Sequence, residues 1–217
     1  VCHMEKYHKT DIAPVENENE RDETYQASNP QIDFTRTRNN YNIIKRQRSY
    51  TQFINDKIEA LDLPTKVRKD AVLMCSFVVG SDREFFSRLS PSEQQQFFVD
   101  CTRFFAERYD EENIISAVVH MDETTPHLHL NLIPIAGGRL CAKKLFDRKA
   151  LTALQTDLHR EVGAKWNLQR GKEGSQAKHL DTAEFKAKKI VEQARGEADS
   201  IIAEADHNAE RKVKIAQ

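Results

Sequence analysis

Three segments concentrate β-branched and apolar residues over strand-like lengths: residues 71–79 (AVLMCSFVV), 114–121 (IISAVVHM) and 127–135 (HLHLNLIPI), with shorter candidates at 1–6 and 40–44. They are expected to share one sheet. Ser90-Pro91-Ser92-Glu93 has the form of a helix start, with an N-cap serine, proline at the first position and a glutamate able to close a capping box. Phe97, Phe98, Cys101, Phe104 and Phe105 then repeat at helical spacing, so this helix should pack on the sheet. Residues 49–61 and 147–165 also show helical periodicity. Residues 9–33, rich in Asn, Asp and Glu with Pro14 and Pro30, read as a long loop.

The end of the chain follows a different period. Ala183, Ala194, Ala205 and Ala216 recur every eleven residues, as do Ala187, Ala198 and Ala209 and, one step over, Val191, Ile202 and Val213. Eleven residues in three turns predict a long helix that coils right-handedly around a partner or lies along its own domain. A stripe made mostly of alanine buries little area, so homodimerisation through it is expected to be weak unless the natural protein continues past Gln217. The abrupt ending suggests that it does.

Composition sets the limits. With 217 residues, 39% of them hydrophobic, the chain can fill one core with an appendage left over. A mean hydropathy of −0.69 and the lack of a long apolar run exclude a membrane span. The chain begins Val1-Cys2-His3-Met4 without a basic-then-apolar leader, and reads as trimmed at its N-terminus. Cys2, Cys75, Cys101 and Cys141 lie far apart with no C-x-x-C, as expected of structural thiols in a reducing cytoplasm. Seven glycines, none before Gly80, leave neither a G-x-G-x-x-G turn nor a P-loop, which sets aside dinucleotide and P-loop chemistry.

The formal net charge of −1 hides segregation. Residues 1–35 hold Lys6, Lys9 and Arg21 against eight acids, whereas residues 36–48 hold Arg36, Arg38, Lys45, Arg46 and Arg48 with none. From Arg139 to Lys172 nine basic residues face only Asp147, Asp157 and Glu161. Such blocks suit a polyanion, and equally suit solvated helix faces.

The chemistry concentrates in His120-Met121-Asp122-Glu123-Thr124-Thr125-Pro126-His127-Leu128-His129. Strand alternation puts His127 and His129 on one face with Asn131, and Leu128, Leu130 and Leu132 on the other. A hairpin through residues 122–125 would set His120 opposite His127 and bring three imidazoles within reach of one divalent ion, leaving positions open for metal-assisted chemistry. Glu123 or Asp122 could orient these ligands. Affinity alone favours Zn or Cu, while availability makes Mn or Mg the ion in use and leaves Zn able to bind.

The triplet His127-Leu128-His129, with His120-Met121-Asp122-Glu123 and Pro126 before it, resembles the metal motif of the HUH single-strand endonucleases, and in detail that of the Mob/Pre plasmid mobilisation relaxases of the MobV class. Asn29-Pro30, Asp33, Arg36, Asn40-Tyr41, residues 68–73, Phe85-Phe86, Phe146-Asp147-Arg148 and residues 173–186 match the same pattern in family order. The resemblance implies an α+β fold with an antiparallel five-stranded sheet flanked by helices, as a relaxase domain over 1–180, and a truncated C-terminal region beginning with the 181–217 helix. It also implies a divalent metal on His120, His127 and His129 and nicking of one DNA strand at a transfer origin in the bacterial cytoplasm. The partners implied are origin DNA, as hairpin duplex plus single strand, and coupling or accessory transfer proteins.

One position departs from the family. Many members begin the motif seen as Glu18-Asn19-Glu20-Arg21 with an attacking histidine, and this chain has Glu18 there. Glu18 could attack as a carboxylate, or Tyr25 as a phenolate; otherwise an activated water cuts without an adduct, or the chain binds an origin without cutting. Glu123 is grouped with the catalytic residues, and Arg21 or Arg68 could offer a planar donor pair to the phosphate. Arg36, Arg38, Lys45, Arg46, Arg48, Lys69, Lys143, Lys144 and Arg148 are candidates for the DNA backbone, with Tyr41 or Tyr50 for base stacking. A rolling-circle initiator or transposase of the same superfamily would need a tyrosine on a helix after the triplet, and none follows Tyr109.

Overall fold

The computed structural model describes residues 2–22, 25, 29, 31–171, 191, 194–198 and 200–202. The chain divides into two units, Val1–Gly171 and Lys172–Gln217. In the second, the described residues 191, 194–198 and 200–202 are helical, and the rest of the expected 181–217 helix lies outside the described residues.

The first unit runs β1 (Cys2–Tyr7), α1 (Ile12–Glu20), β2 (Tyr41–Ile44), α2 (Tyr50–Ala60), β3 (Met74–Gly80), α3 (Arg83–Ser87), α4 (Pro91–Tyr109), β4 (Ile114–His120) and β5 (His127–Leu132). A small hairpin of β6 (Ile135–Ala136) and β7 (Arg139–Leu140) follows, then α5 (Ala142–Leu145) and α6 (Arg148–Leu158). Five strands form one sheet in the order β1-β3-β5-β4-β2, with every neighbouring pair antiparallel. The expected α+β architecture is the one observed.

Alternation divides the sheet into two chemically distinct faces. On one, Phe77, Val79, Ala117, Val119, Leu128, Leu130 and Leu132 join the phenylalanines of α3 and α4 and Leu154 and Leu158 of α6 in the larger core. Phe98 and Phe105 are fully buried, each contributing roughly 1.5–3 kcal/mol. The start of α4 is capped as its sequence requires: Ser90 Oγ accepts from the Glu93 amide at 3.3 Å, and Glu93 accepts from the Ser90 amide at 2.7 Å. The opposite face carries a smaller core of Ile12, Tyr50, Ile54, Met74, Ile115 and Ile133 drawn from α1, α2 and the sheet. A bulge between Ile114 and Ser116 lets Ile114 enter the first core and Ile115 the second.

Some boundaries depart from expectation. Residues 9–33 are not one long loop: a short 3-10 turn, Lys9–Asp11, leads into α1. Pro14 is tolerated because it stands third in the helix, among first-turn amides that lack an intrahelical acceptor. Ile12 and Val15 give α1 its apolar contact, too short a stripe to stand out among acids and asparagines. The 127–135 strand ends at Leu132, and the chain turns again through Gly137 and Gly138, whose φ of 57° and 70° suit glycine. Residues 147–165 form α6 and then one π turn, His159–Gly163.

That final turn returns Lys165 and Trp166 to α4. Buried Asp100 accepts from Lys165 Nζ at 2.5 Å, Trp166 Nε1 at 3.0 Å, Arg103 at 3.0 Å and Gln96 at 3.0 Å. Burial by itself would raise the Asp100 pKa, but these hydrogen bonds outweigh it and hold the carboxyl below its ordinary value. Its stabilising contribution is therefore complete above the unfolded carboxylate pKa of about 4 and is lost as pH falls through the lower folded value. Asp100→Ala is expected to cost about 1.5–3 kcal/mol at neutral pH, with the gap from the parent narrowing in acid, as measured by denaturant unfolding across pH.

Candidate active site

The β4–β5 hairpin sets the imidazoles in register. His120 pairs with His127, Val118 with His129 and Ser116 with Asn131, so these side chains share the face away from the larger core. Ring centroids lie 4.5 Å apart for His120–His129, 4.9 Å for His127–His129 and 5.4 Å for His120–His127. One nitrogen of each lies within 4.8 Å of the other two. Gly80 of β3 pairs with His127, and a Cβ there would lie 3.2 Å from His127 Cβ and 3.3 Å from the Pro126 carbonyl, so glycine permits the close approach.

Backbone carbonyls fix two tautomers, because a carbonyl can only accept. His120 Nε2 lies 2.8 Å from the Asn19 carbonyl and must carry the proton, leaving the Nδ1 lone pair 3.0 Å from Arg21 Nη2 and 3.7 Å from Glu123 Oε1. His127 Nδ1 donates to the Thr125 carbonyl at 2.9 Å, leaving Nε2 facing the same Glu123 oxygen at 3.7 Å. Burial, with His127, His120 and Arg21 beside it, holds His129 well below the usual histidine range and hence neutral. Burial also lowers His127, which Glu123 partly opposes. Neutral nitrogens are what a metal ion requires of histidine, so the donor set fits a divalent ion.

A buried charge cluster braces the hairpin turn. Arg21 follows α1 in the left-handed region with φ 51°, which sends its side chain back toward the sheet. Its Nε and Nη2 donate to Asp122 at 2.9 and 3.0 Å, Nη2 also to Glu123 at 2.8 Å, and Nη1 to the Glu18 carbonyl at 2.7 Å. Asp122, fully buried, accepts further from Thr37 Oγ1 at 2.9 Å and Asn40 Nδ2 at 2.8 Å. Burial opposes ionisation, but hydrogen bonds from Arg21, Asn40 and Thr37 hold its carboxyl far below the usual range. Glu123, likewise against its own burial, is held low, with Arg21 donating to it. Asn29 Nδ2 donates to Glu123 Oε2 at 2.9 Å.

A polar chain fastens α1 to the same face. Asn131 donates to Ser116 at 2.9 Å, Ser116 to Tyr50 at 2.5 Å and Tyr50 to Glu20 at 2.9 Å. It sets the height of the helix that carries Glu18, Asn19 and, just past its end, Arg21. Asn19, Asn29 and Asn40 stood in the sequence only as motif residues with no assigned role, and Thr37 not at all, since short polar residues are common in loops and the Asn19 contact comes from its backbone.

The other expected residues scatter. Glu18 is half-buried on α1. Tyr25 lies beyond the helix with its hydroxyl screened from solvent. Arg68 is exposed and pairs with Asp70 at 3.3 Å on the segment before β3, and Lys69 beside it is exposed. Arg36 donates to the Met121 and Glu123 carbonyls, bracing the turn. Arg46 donates to the Ile114 carbonyl at 3.2 and 3.1 Å and to that of Glu111 at 2.9 Å, and Arg48 pairs with Asp56. Lys45 reaches Glu20 at 3.8 Å; Arg38, Lys143, Lys144 and Arg148 are exposed. Base stacking on Tyr50 needs correction, because that ring is buried under α1. Tyr41 pairs with Val119 and is half-buried against the larger core.

The three imidazoles stand on two of the three inner strands, and the five-stranded antiparallel sheet that carries them is the architecture of a relaxase domain. The chain shares it with the MobM relaxase domain (MOBV; Mob_Pre), solved as a Mn-bound crystal structure on plasmid pMV158 oriT DNA, at TM-score 0.81 and 36% identity over 86% of this chain and 97% of that one. The chain belongs to the Mob_Pre family, described as plasmid recombination enzyme, which matches residues 1–187. A plasmid recombination enzyme of Bacillus sp is 39% identical over 189 residues, 86% of this chain and 45% of that protein. One of Streptococcus agalactiae is 38% identical over 191 residues, 86% and 38% respectively. The chain thus spans less than half the length of these relatives. Among the described residues no helix is long and apolar enough to cross a membrane.

Proposed function

We propose that this chain nicks one strand of DNA at the transfer origin of a bacterial mobile element, with His120, His127 and His129 holding a divalent ion. The convergence of three imidazoles under the helix that carries Glu18 is the observation that carries the reading. Imidazole donors favour Zn by affinity, availability favours Mn or Mg as the ion in use, and the related MobM domain crystallised with Mn. Such an ion supplies positive charge to the non-bridging oxygens of the scissile phosphate. The exposed Arg38, Lys143, Lys144 and Arg148 are available to the DNA backbone, whereas Arg21, Arg36 and Arg46 act within the protein, orienting the turn and β4. The eleven-residue alanine stripe supports a homodimer through residues 181–217, and the family supports accessory transfer proteins in the cytoplasm as further partners.

Glu18 is the favoured nucleophile because its helix touches the metal ligands through Asn19 and Arg21. Its carboxylate oxygen bonds to phosphorus as the P–O3′ bond breaks, the 3′ oxygen takes a proton, and the strand's 5′ phosphate remains as an acyl phosphate. Tyr25, with its hydroxyl screened, is the alternative. Supercoiled origin plasmid with Mn is expected to become open circular, and a suicide oligonucleotide to trap an adduct that hydroxylamine cleaves and Glu18→Gln abolishes. An adduct that survives hydroxylamine and disappears in Tyr25→Phe would transfer the role to Tyr25. Origin binding with no nicking at any divalent metal would make the chain an origin-binding protein without cleavage.

A further inference from the structure

Beside the site stands an aromatic ring that the fold does not use. Phe34 is 57% exposed, the one exposed large hydrophobic among the described residues of the first unit, and it takes part in no ring or cation–π contact among them. A lone exposed aromatic is ordinary on a protein surface. This one differs in how it is held. Ile32, two residues before it, is buried; the Asp33 amide donates to the Asp122 carbonyl at 2.8 Å; and Asp33 Oδ1 accepts from the amide and hydroxyl of Thr35 at 3.0 and 2.6 Å. After it, the Thr37 amide donates to the Phe34 carbonyl at 3.3 Å and the Thr37 hydroxyl to Asp122. The backbone on both sides of Phe34 is therefore pinned to the turn that joins His120 to His127.

We propose that Phe34 is a stacking platform for one unpaired nucleobase of the DNA strand led to the imidazole site. The inference rests on the strand-nicking reading and adds to it a contact with a base. Its neighbours Asp33, Thr35 and Arg36 are exposed and polar, so the ring stands alone and is too small a patch for a protein partner. A single π face suffices for a base of any sequence, and the pinned backbone lowers the entropy lost on stacking. Arg38, exposed and four residues on in the same loop, suits the adjoining phosphate.

The test compares the full chain's binding to fluorescein-labelled oligodeoxythymidylate and to an abasic oligomer of equal length, in chelator and at fixed salt. Phe34→Ala is expected to weaken the thymidylate complex roughly 5- to 140-fold, the fold-change equivalent of about 1–3 kcal/mol per stacked base. It should leave the abasic complex and the thermal midpoint unchanged, and Phe34→Trp should restore thymidylate binding. Unchanged thymidylate binding in Phe34→Ala, an equal loss on the abasic oligomer, or a fall in thermal midpoint that Phe34→Trp does not reverse would each overturn the proposal. Nicking of origin plasmid by the parent chain, measured in parallel, reports separately on the underlying reading. Nicking without a Phe34 effect removes the platform alone, and a Phe34 effect without nicking removes cleavage while keeping the platform.

Discussion

Asp122→Ala is expected to lower the stability of the first unit by about 3–5 kcal/mol, because it takes from a buried guanidinium the carboxylate that accepts two of its hydrogen bonds and leaves only Glu123 to balance its charge. The Arg21 side chain is 3% exposed and that of Asp122 fully buried, so solvent screens the pair very little. Thr37 and Asn40 lose their shared acceptor in the same substitution. For a domain of this size the thermal midpoint should fall by about 6–20 °C, read by calorimetry. Arg21→Met in the Asp122→Ala background should recover only part of the loss, since that pair is then gone but Glu123 loses its guanidinium partner. A midpoint within a degree or two of the parent in Asp122→Ala would show that the bridge does not form.

His129→Ala should abolish strand nicking while leaving binding of single-stranded DNA in chelator within a few fold of the parent. The ring lies centrally among the three, 4.5 and 4.9 Å from the other two, so its removal opens the donor set more than any loop substitution could. Phosphate contacts dominate nucleic-acid affinity, and those proposed above are made by exposed cations rather than by this ring. Loss of one ligand should weaken Mn binding by at least about 10–100-fold, the cost of losing a mere supporting hydrogen bond at a metal site. Calorimetric titration with Mn measures this independently of nicking. Equal loss of DNA binding and of nicking would mark the ring as structural.

What could be read from the residues alone was whatever depends on local period and neighbouring register. Strand alternation over residues 127–132 and a short turn already forced His120 opposite His127, because antiparallel pairing across so few residues leaves little freedom. The start of α4 was equally legible, as its cap and first-turn proline lie within four residues of each other. The α1 helix was not, because its apolar stripe is only Ile12 and Val15 and its stability comes from packing on a sheet whose strands lie far along the chain.

Tertiary structure alone decided which charged residues are free. Arg21, Arg36 and Arg46 look in sequence like Arg38, yet the first is buried against an acid one hundred and one positions away and the other two are spent on backbone carbonyls of the β4 region. Nothing within reach along the chain signals such partners, since burial and pairing are set by where distant segments meet. The same holds for Tyr41 and Tyr50, set by register and by α1 against the two cores, and for Phe34, left exposed by a loop that the Asp33 amide and the Thr37 hydroxyl fasten to Asp122 of the β4–β5 turn. The sequence by itself determined the local chemistry, three imidazoles on one face, because that required only a hairpin. The surroundings that give each side chain its work required the whole sheet.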